Sequence, residues 1–508
     1  MTGPWSKLPR AVSASVSPSA GYAPRREQRA PRGATLAQMI QALGGGGPDD
    51  GVAIDPAEVI ARGAEGTVWS SRRLPDGSLR YWSDQRGGAF AFRARGDRPT
   101  SGHVLDTSDV LDVEIGNGQS WRVYTPTDTA GRPFIGTADR WSVLQVLNQA
   151  GAFVERGDAG TTGASDIRGR EYPSAGNYTD QIGTTAAQVR QLLRRRARMQ
   201  VTPIVHFVHG FGAATWRNNG GFWLAPGSAP WASGVAIMGA LPAVAAAYGM
   251  TCRFVAVGWT HGVAGVRRID YYDELQNMMA SYDALDLPGT TTQALRIFLD
   301  QPNTTNSATS IIEPGLPHGS NWFRQLDFVL DHPTRAYLTG PRYPFPLIDT
   351  IHHSAYGYAK IGEVEGYVKH RVLDLGQAWE PLRIIGASIT GATITVTTNQ
   401  PYAGGALSID TSMIEAAESY GFRVYVAGVK RTISGVDVSG TTITITLASA
   451  PLAGSAVELS YAVYGVAQRS GTHAGVWGNV KMAGPASPLW PAETIDAWLI
   501  CDRRTLTA

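Results

Sequence analysis

The stretch TSDVLDVEIGNGQSWRVY, residues 107–124, decides the fold. From Val110 to Ile115 apolar and polar residues alternate, the period of two that a strand imposes. The strand runs into Gly116, Asn117 and Gly118, a turn signal, which delivers Gln119 and Ser120 at its exit. A serine on such a turn has an exposed hydroxyl and a backbone N–H close by, the setting a nucleophile needs.

That serine calls for a base, and PLIDTIHHSAYGYAKIGE, residues 346–363, supplies one. Asp349 lies three positions before His352, close enough to share a turn with it. The carboxylate then fixes the imidazole tautomer and leaves the other ring nitrogen free to accept a proton. The order Ser, Asp, His is that of the α/β-hydrolases, but their G-x-S-x-G elbow needs glycine at 122, where this chain has Arg122. Each residue alone has a plainer role: Ser120 can bond its own turn, and His352 can sit at a helix cap beside Ser354. Taken together they read as the catalytic set Ser120, Asp349 and His352.

GQSW at 118–121 with DTIH at 349–352 resembles the first and last motif blocks of the SGNH (GDSL-like) hydrolases, especially the sialate O-acetylesterase-like carbohydrate esterases. Between them, VTPIVHFVHGFGAATW (201–216) is similar to the second block, a strand followed by an oxyanion glycine, which falls on Gly210 or Gly212. RFVAVGWTHGVAG (253–265) is similar to the third block at Trp259 and Gly262, whereas His261 stands at the family's glutamine, Val263 at its glutamate and Gly265 at its terminal acid or amide. The resemblance covers roughly residues 105–375. It implies a serine carboxylic-ester hydrolase in which the N–H groups of Ser120 and of Gly210 or Gly212 hold the oxyanion. His261 is expected to replace the side-chain donor of the third block if neutral and turned inward. Gln119, Trp121, Trp216 and Trp259 are the expected ligand contacts, with Trp121 and Trp216 foremost because tryptophan faces suit sugar rings. Core packing is the expectation for the other tryptophans nearby, Trp223 and Trp231. No cofactor is expected. No metal is expected either, because His206 and His209, three apart on a strand, point to opposite faces and no Cys/His set has zinc spacing.

From residue 108 strands and helices alternate: a helix at 184–199, strands at 203–208, 253–259 and 294–300, and a helix from Tyr356 to Lys369. This predicts an α/β, SGNH-type doubly wound and mainly parallel sheet over 108–377, with its site at the strands' C-terminal ends. The run RRRAR at 194–198 reads as the solvated face of an amphipathic helix. GVAIMGALPAVAAAYGM at 234–250 is too short for a membrane span of about 20 residues and reads as a buried helix. At about 378 the composition turns to alternating threonine and isoleucine, predicting an immunoglobulin-like β-sandwich over 378–467, added or inserted. Residues 468–508 are expected to close back onto the α/β domain. Upstream, 48–107 reads as a small β/α element with strands in TVWSSRRL, LRYWSD and GAFAFRAR.

Residues 1–47 mix Pro, Ser, Ala and Arg and then offer one short helix capped by Thr35 and ended by a glycine run. This extended arm lacks the apolar core of a secretory signal and is the expected contact with other proteins of a particle. The chain has 508 residues, a net charge of +2 and two cysteines, so neither nucleic acid, membrane insertion nor a disulfide framework is expected. Cys252 reads as a buried thiol. Two functions fit: a phage-like virion spike, fibre or tail protein, such as a gene transfer agent spike, that binds and can deacetylate a capsular or envelope polysaccharide, or a carbohydrate O-acetylesterase with no particle role. The first implies a homo-oligomer on a virion surface, made in the bacterial cytoplasm without a signal peptide.

Overall fold

A computed structural model describes strands at 67–73, 79–85, 88–94 and 103–105 and, from 108 onward, all residues except 124–142, 148–163, 165, 170–179, 213, 218–222, 263–269, 289–293, 303–320, 350 and 464–476. The expected arm and its helix lie outside the described residues. The first four strands, β1 (Thr67–Arg73), β2 (Leu79–Gln85), β3 (Gly88–Ala94) and β4 (His103–Leu105), form one antiparallel sheet; the first three lie where the sequence predicts, and β4 is an addition to them.

The α/β domain is built on β5 (Val110–Gly118), β6 (Val143–Leu147), β7 (Asp166–Gly169), β8 (Ile204–Gly210), β9 (Thr251–Thr260), β10 (Arg296–Gln301) and β11 (Ala336–Pro341). Their order is β11-β10-β9-β5-β8-β6-β7, all parallel except β7, which pairs antiparallel with β6 at the edge. The first strand of the motif is thus the central one, with β8 and β9 on either side. Between the strands run α1 (Ser120–Val123), α2 (Gln181–Arg196), α3 (Ala229–Ala246), α4 (Tyr271–Asp283), α5 (Asn321–Asp331) and, after β11, α6 (Ala355–Lys369). The strand β6, the edge strands β7 and β11 and the helix α5 are elements the sequence reading passed over.

A central strand of a doubly wound sheet is covered on both faces. Leu111, Val113 and Ile115 pack into the apolar core formed with α3 and α4. The opposite face carries Asp112 and Glu114, both fully buried. A buried carboxylate is tolerated only when paired, and here the partners come from the helices. Arg190 reaches Glu114 at 2.8 Å and Asp112 at 3.2 Å, Arg194 reaches Asp112 at 3.1 Å, and Lys369 reaches Glu114 at 2.6 Å. Asp374 also accepts from Arg190 and Arg194, each at 2.6 Å, and Arg253 closes the end on Asp112 at 2.6 Å. The RRRAR expectation is therefore corrected. Arg194 turns inward with Arg190 because the strand beneath is acidic, and the outward face of the run is left to Arg196 and Arg198.

The two helices meet closely because α6 presents Gly362 and Gly366. A Cβ at either would lie 2.4 Å from the Ile182 carbonyl oxygen or 2.5 Å from that of Ala186 on α2. The apolar stretch in 234–250 forms most of α3, which buries one face through Trp231, Ile237, Met238, Leu241 and Val244. Cys252 is a buried thiol as expected, its pKa pushed up to about 12 by burial.

Beyond residue 378 the chain forms two four-stranded antiparallel sheets. One contains β12 (Ile384–Thr390), β13 (Thr393–Thr398), β17 (Ile433–Ser439) and β18 (Thr442–Leu447). The other contains β15 (Phe422–Val426), β16 (Val429–Arg431), β19 (Ala456–Tyr461) and β22 (Asp502–Thr507). Inward residues such as Val396, Ile443, Val424 and Leu459 share one core. A third small sheet joins β14 (Leu407–Ile409), β20 (Val480–Met482) and β21 (Ala497–Trp498). The closing segment does more than pack on the α/β domain, since it supplies β20, β21 and β22 to these sheets. On the way it bonds to that domain: the Cys501 N–H donates to Gln301 Oε1 at 2.7 Å, the Tyr343 hydroxyl donates to the Leu499 carbonyl at 2.7 Å, and Lys360 donates to Glu493 at 3.1 Å.

Burial alone would raise the Glu114 carboxyl, but Lys369 and Arg190 bring it down to about 2 from an ordinary 4.5. A lowered folded-state pKa stabilises the fold above the unfolded value and loses that contribution as pH falls from there toward the folded one. Thermal melts should therefore show a melting temperature that falls between pH 4.5 and pH 2, with a shallower fall in Glu114→Gln. Lys369→Met, which leaves Glu114 facing buried negative charge, is expected to lower the unfolding free energy by about 3–5 kcal/mol in urea titrations.

Candidate active site

The site is built where β5 ends. Gly118 has φ +142°, and a Cβ there would lie 2.1 Å from the Thr260 carbonyl oxygen, so only glycine fits. The close approach lets neighbouring strands hold the turn. The Gln119 N–H donates to the Thr260 carbonyl and the Phe211 N–H to the Gly118 carbonyl, each at 3.1 Å. Ser120 then opens α1 with its side chain half-buried.

Asp349 and His352 arrive on the loop between β11 and α6. Asp349 Oδ1 accepts the backbone N–H groups of Ile351 at 2.6 Å and His352 at 2.5 Å, which curls the loop into a tight turn. Its Oδ2 lies 2.8 Å from His352 Nδ1. Ser354 caps α6 by accepting the Gly357 N–H at 3.0 Å, so the helix starts immediately beyond the histidine. His352 Nε2 lies 3.2 Å from Ser120 Oγ, across 232 residues of sequence. A carboxylate can only accept, so the Nδ1 proton lies toward Asp349 and Nε2 meets the serine hydroxyl with its lone pair. Burial pushes the Asp349 carboxyl up, but the His352 N–H, its imidazole and the Ile351 N–H outweigh this and hold it below its ordinary value. The side chains of Asp349 and His352 are 48% and 22% exposed, so water reaches the pair.

The other expected site residues are placed differently. Gly210 pairs in register with Gly118 inside the sheet, whereas Gly212 lies beyond the ladder, where a side chain would meet nothing within 4 Å. His261 has both ring nitrogens engaged elsewhere. It is 1% exposed, its Nε2 lies 3.0 Å from the Ala214 carbonyl and its Nδ1 lies 3.1 Å from the Tyr271 hydroxyl. A carbonyl has no proton to give, so the imidazole N–H is spent on Ala214, which corrects the expectation of an oxyanion donor. Trp216 and Trp259 are likewise corrected as ligand contacts. Each is 1% exposed, and the rings pack edge to face at 5.8 Å beneath the site. Gln119 is buried and donates its amide to the Ala214 carbonyl at 2.8 Å, so it braces the loop after β8. The side chain of Trp121 lies outside the described residues.

A hydrogen-bonded floor therefore underlies the serine. Trp259 Nε1 donates to the Tyr271 oxygen at 3.1 Å, Tyr271 faces His261, and His261 and Gln119 converge on Ala214. Sequence reasoning missed Tyr271 and Ala214 in this role, and nothing in their local sequence marks them. His206 and His209 diverge as expected. The former meets Asp180 at 2.9 Å, while the latter meets Asn117 at 2.6 Å on the other face. Among the described residues no group of three or more His, Cys, Asp or Glu side chains could hold a metal ion.

The sequence matches no protein-family model and no curated protein. Among solved structures, a carbohydrate acetylesterase from Xanthomonas citri is similar at 15% identity and a TM-score of 0.46, over 84% of this chain and 85% of that one. A protein of Arabidopsis thaliana is similar at 13% identity and a TM-score of 0.30, over 51% of this chain and 96% of that one. NanS is similar at 13% identity and a TM-score of 0.24, over 39% of this chain and 69% of its own. These are likenesses of general architecture and assign no residue a role.

Gly118→Ala must shift either the turn or Thr260, at about 1–3 kcal/mol of strain. The expected result is a folded protein whose Ser120 reacts with a fluorophosphonate probe at least about tenfold more slowly than wild type, read by intact-mass labelling.

Proposed function

We propose that this chain is a serine esterase that removes acyl groups, acetyl foremost, from a carbohydrate. The observation that carries the reading is the relay from Asp349 through His352 to Ser120, whose members come from two separate strand-to-helix junctions and meet at hydrogen-bonding distance. The carbohydrate ester as substrate rests on the resemblance of GQSW and DTIH to the carbohydrate-esterase blocks.

Ser120 Oγ attacks the acyl carbon while His352 Nε2 takes the hydroxyl proton, and Asp349 stabilises the imidazolium that forms. The oxyanion is held by the N–H groups of Ser120 and Gly212. His261 is committed to Ala214, so the oxyanion rests on backbone donors, each worth about 3–4 kcal/mol of barrier. His352 gives the Ser120 proton to the departing sugar oxygen, leaving Ser120 acylated. Water admitted through the exposed Asp349–His352 side then attacks the acyl carbon as His352 takes its proton. The Oγ–acyl bond breaks to release the carboxylic acid and reprotonated Ser120. The sequence grounds for a particle-bound glycan receptor lie largely in residues 1–47, outside the described residues, and no described side chain favours that reading over the esterase.

Ser120→Ala is expected to abolish hydrolysis of p-nitrophenyl acetate and of an acetylated sugar. Turnover equal to wild type in that variant overturns the esterase reading. Asp349→Asn, which keeps the shape but loses the charge that sets the tautomer, is expected to lower kcat by about 10³–10⁴-fold with little change in KM.

A further inference from the structure

The side chain two residues beyond the nucleophile is the least expected feature of the site. Arg122 is fully buried, although it sits on a four-residue helix at the surface end of the sheet. Its guanidinium runs under the turn to Asp180, the cap of α2, at 3.2 Å and pairs with Glu365 on α6. Two neighbouring strands make room for it. A Cβ at Gly258 on β9 would lie 2.4 Å from Arg122 Nη2, and a Cβ at Gly116 on β5 would lie 2.2 Å from Asp180 Oδ2.

Glu365 connects the arginine to the rest of the buried charge. One turn further along α6, Lys369 lies 2.7 Å from Glu365 and 2.6 Å from Glu114, back on β5. The strand and turn that carry Ser120 are thus joined to the helix that follows His352 at two points, Arg122 to Glu365 and Glu114 to Lys369. The two bridges alternate in sign, so a shift of α6 along its axis separates opposite charges at both.

We propose that Arg122 is the positioning residue of the nucleophile, its two-carboxylate clamp setting the distance between Ser120 and His352. This rests on the esterase reading above. Lysine keeps the charge but cannot span both carboxylates with a planar fork. A misplacement of about 1 Å is enough to cost about 100-fold in rate.

The test compares wild type, Ser120→Ala, Arg122→Lys, Glu365→Gln and the Arg122→Lys/Glu365→Gln double variant, each confirmed as folded by circular dichroism and melting. The expected result is a kcat on p-nitrophenyl acetate lowered about 10- to 100-fold in either single variant, with KM within about twofold and fluorophosphonate labelling of Ser120 slowed in parallel. The double variant should lose little more than the worse single one, because both remove the same clamp. Folded Arg122→Lys and Glu365→Gln with wild-type kcat, beside an inactive Ser120→Ala, overturn the positioning role alone. Losses that multiply in the double variant, or that only track the unfolded fraction, overturn it too. Ser120→Ala with wild-type turnover removes the esterase reading and this role with it.

Discussion

Asp112 and Glu114 lie on the buried face of the central strand, and the rest of the α/β domain is arranged to answer them. Two carboxylates removed from water cost several kcal/mol each unless cations meet them. The chain meets them with Arg190 and Arg194 from one helix and Lys369 from another, and balances those cations in turn with Asp374 and Glu365. Such a network is no richer in net stability than a well-packed apolar layer would be. What it adds is register: a helix that slides by one residue places its charges against apolar strand or against like charge. Gly362 and Gly366 complete the arrangement by letting the two helices come close enough for the charges to reach.

The same layer reaches the turn that carries Ser120. The chain places its proposed nucleophile on four helical residues and its proposed base on a loop turn, neither of which is rigid by itself. Rigidity is imported from below. The strand ladder holds Gly118 and Gln119, the Arg122 pairs hold the helix, and the Ser354 cap starts α6 directly after His352. On the other face an aromatic and hydrogen-bonded floor of Trp259, Tyr271, His261 and Ala214 supports the neighbouring loops. Burial pushes the Tyr271 phenol well above its ordinary range, so its proton stays within that floor.

This explains why some parts of the site were legible and others were not. Ser120, Asp349 and His352 carry local signals: a strand running into a glycine turn, and an acid three residues before a histidine. The structure brings these three side chains together. His261, Trp216, Trp259 and Gln119 were assigned by their place in a motif, and each is buried among neighbouring side chains and backbone rather than open to a ligand. A motif position specifies which strand end a residue occupies, whereas the direction of its side chain depends on what packs against that end. Arg122 shows the converse. As a sequence feature it served only to exclude a glycine elbow, yet in the fold it is among the most fully buried charges, because its partners are Asp180 and Glu365, 58 and 243 residues away.

By itself the sequence determined the alternation of strands and helices, the change to antiparallel sheets beyond residue 378 and the residues able to form a serine, histidine and aspartate relay. These follow from short-range periodicity and turn chemistry, which act over a few residues. Tertiary structure alone decided that the acidic face of β5 is buried, that half of an arginine-rich helix points inward, that the closing segment completes the C-terminal sheets and that His261 faces Ala214. Each of these depends on which distant group is available to satisfy a charge or a hydrogen bond once water is excluded. The alternation in VLDVEI is the same for a strand with one wet face and for one at the centre of the sheet, and only the cations folded over it distinguish the two.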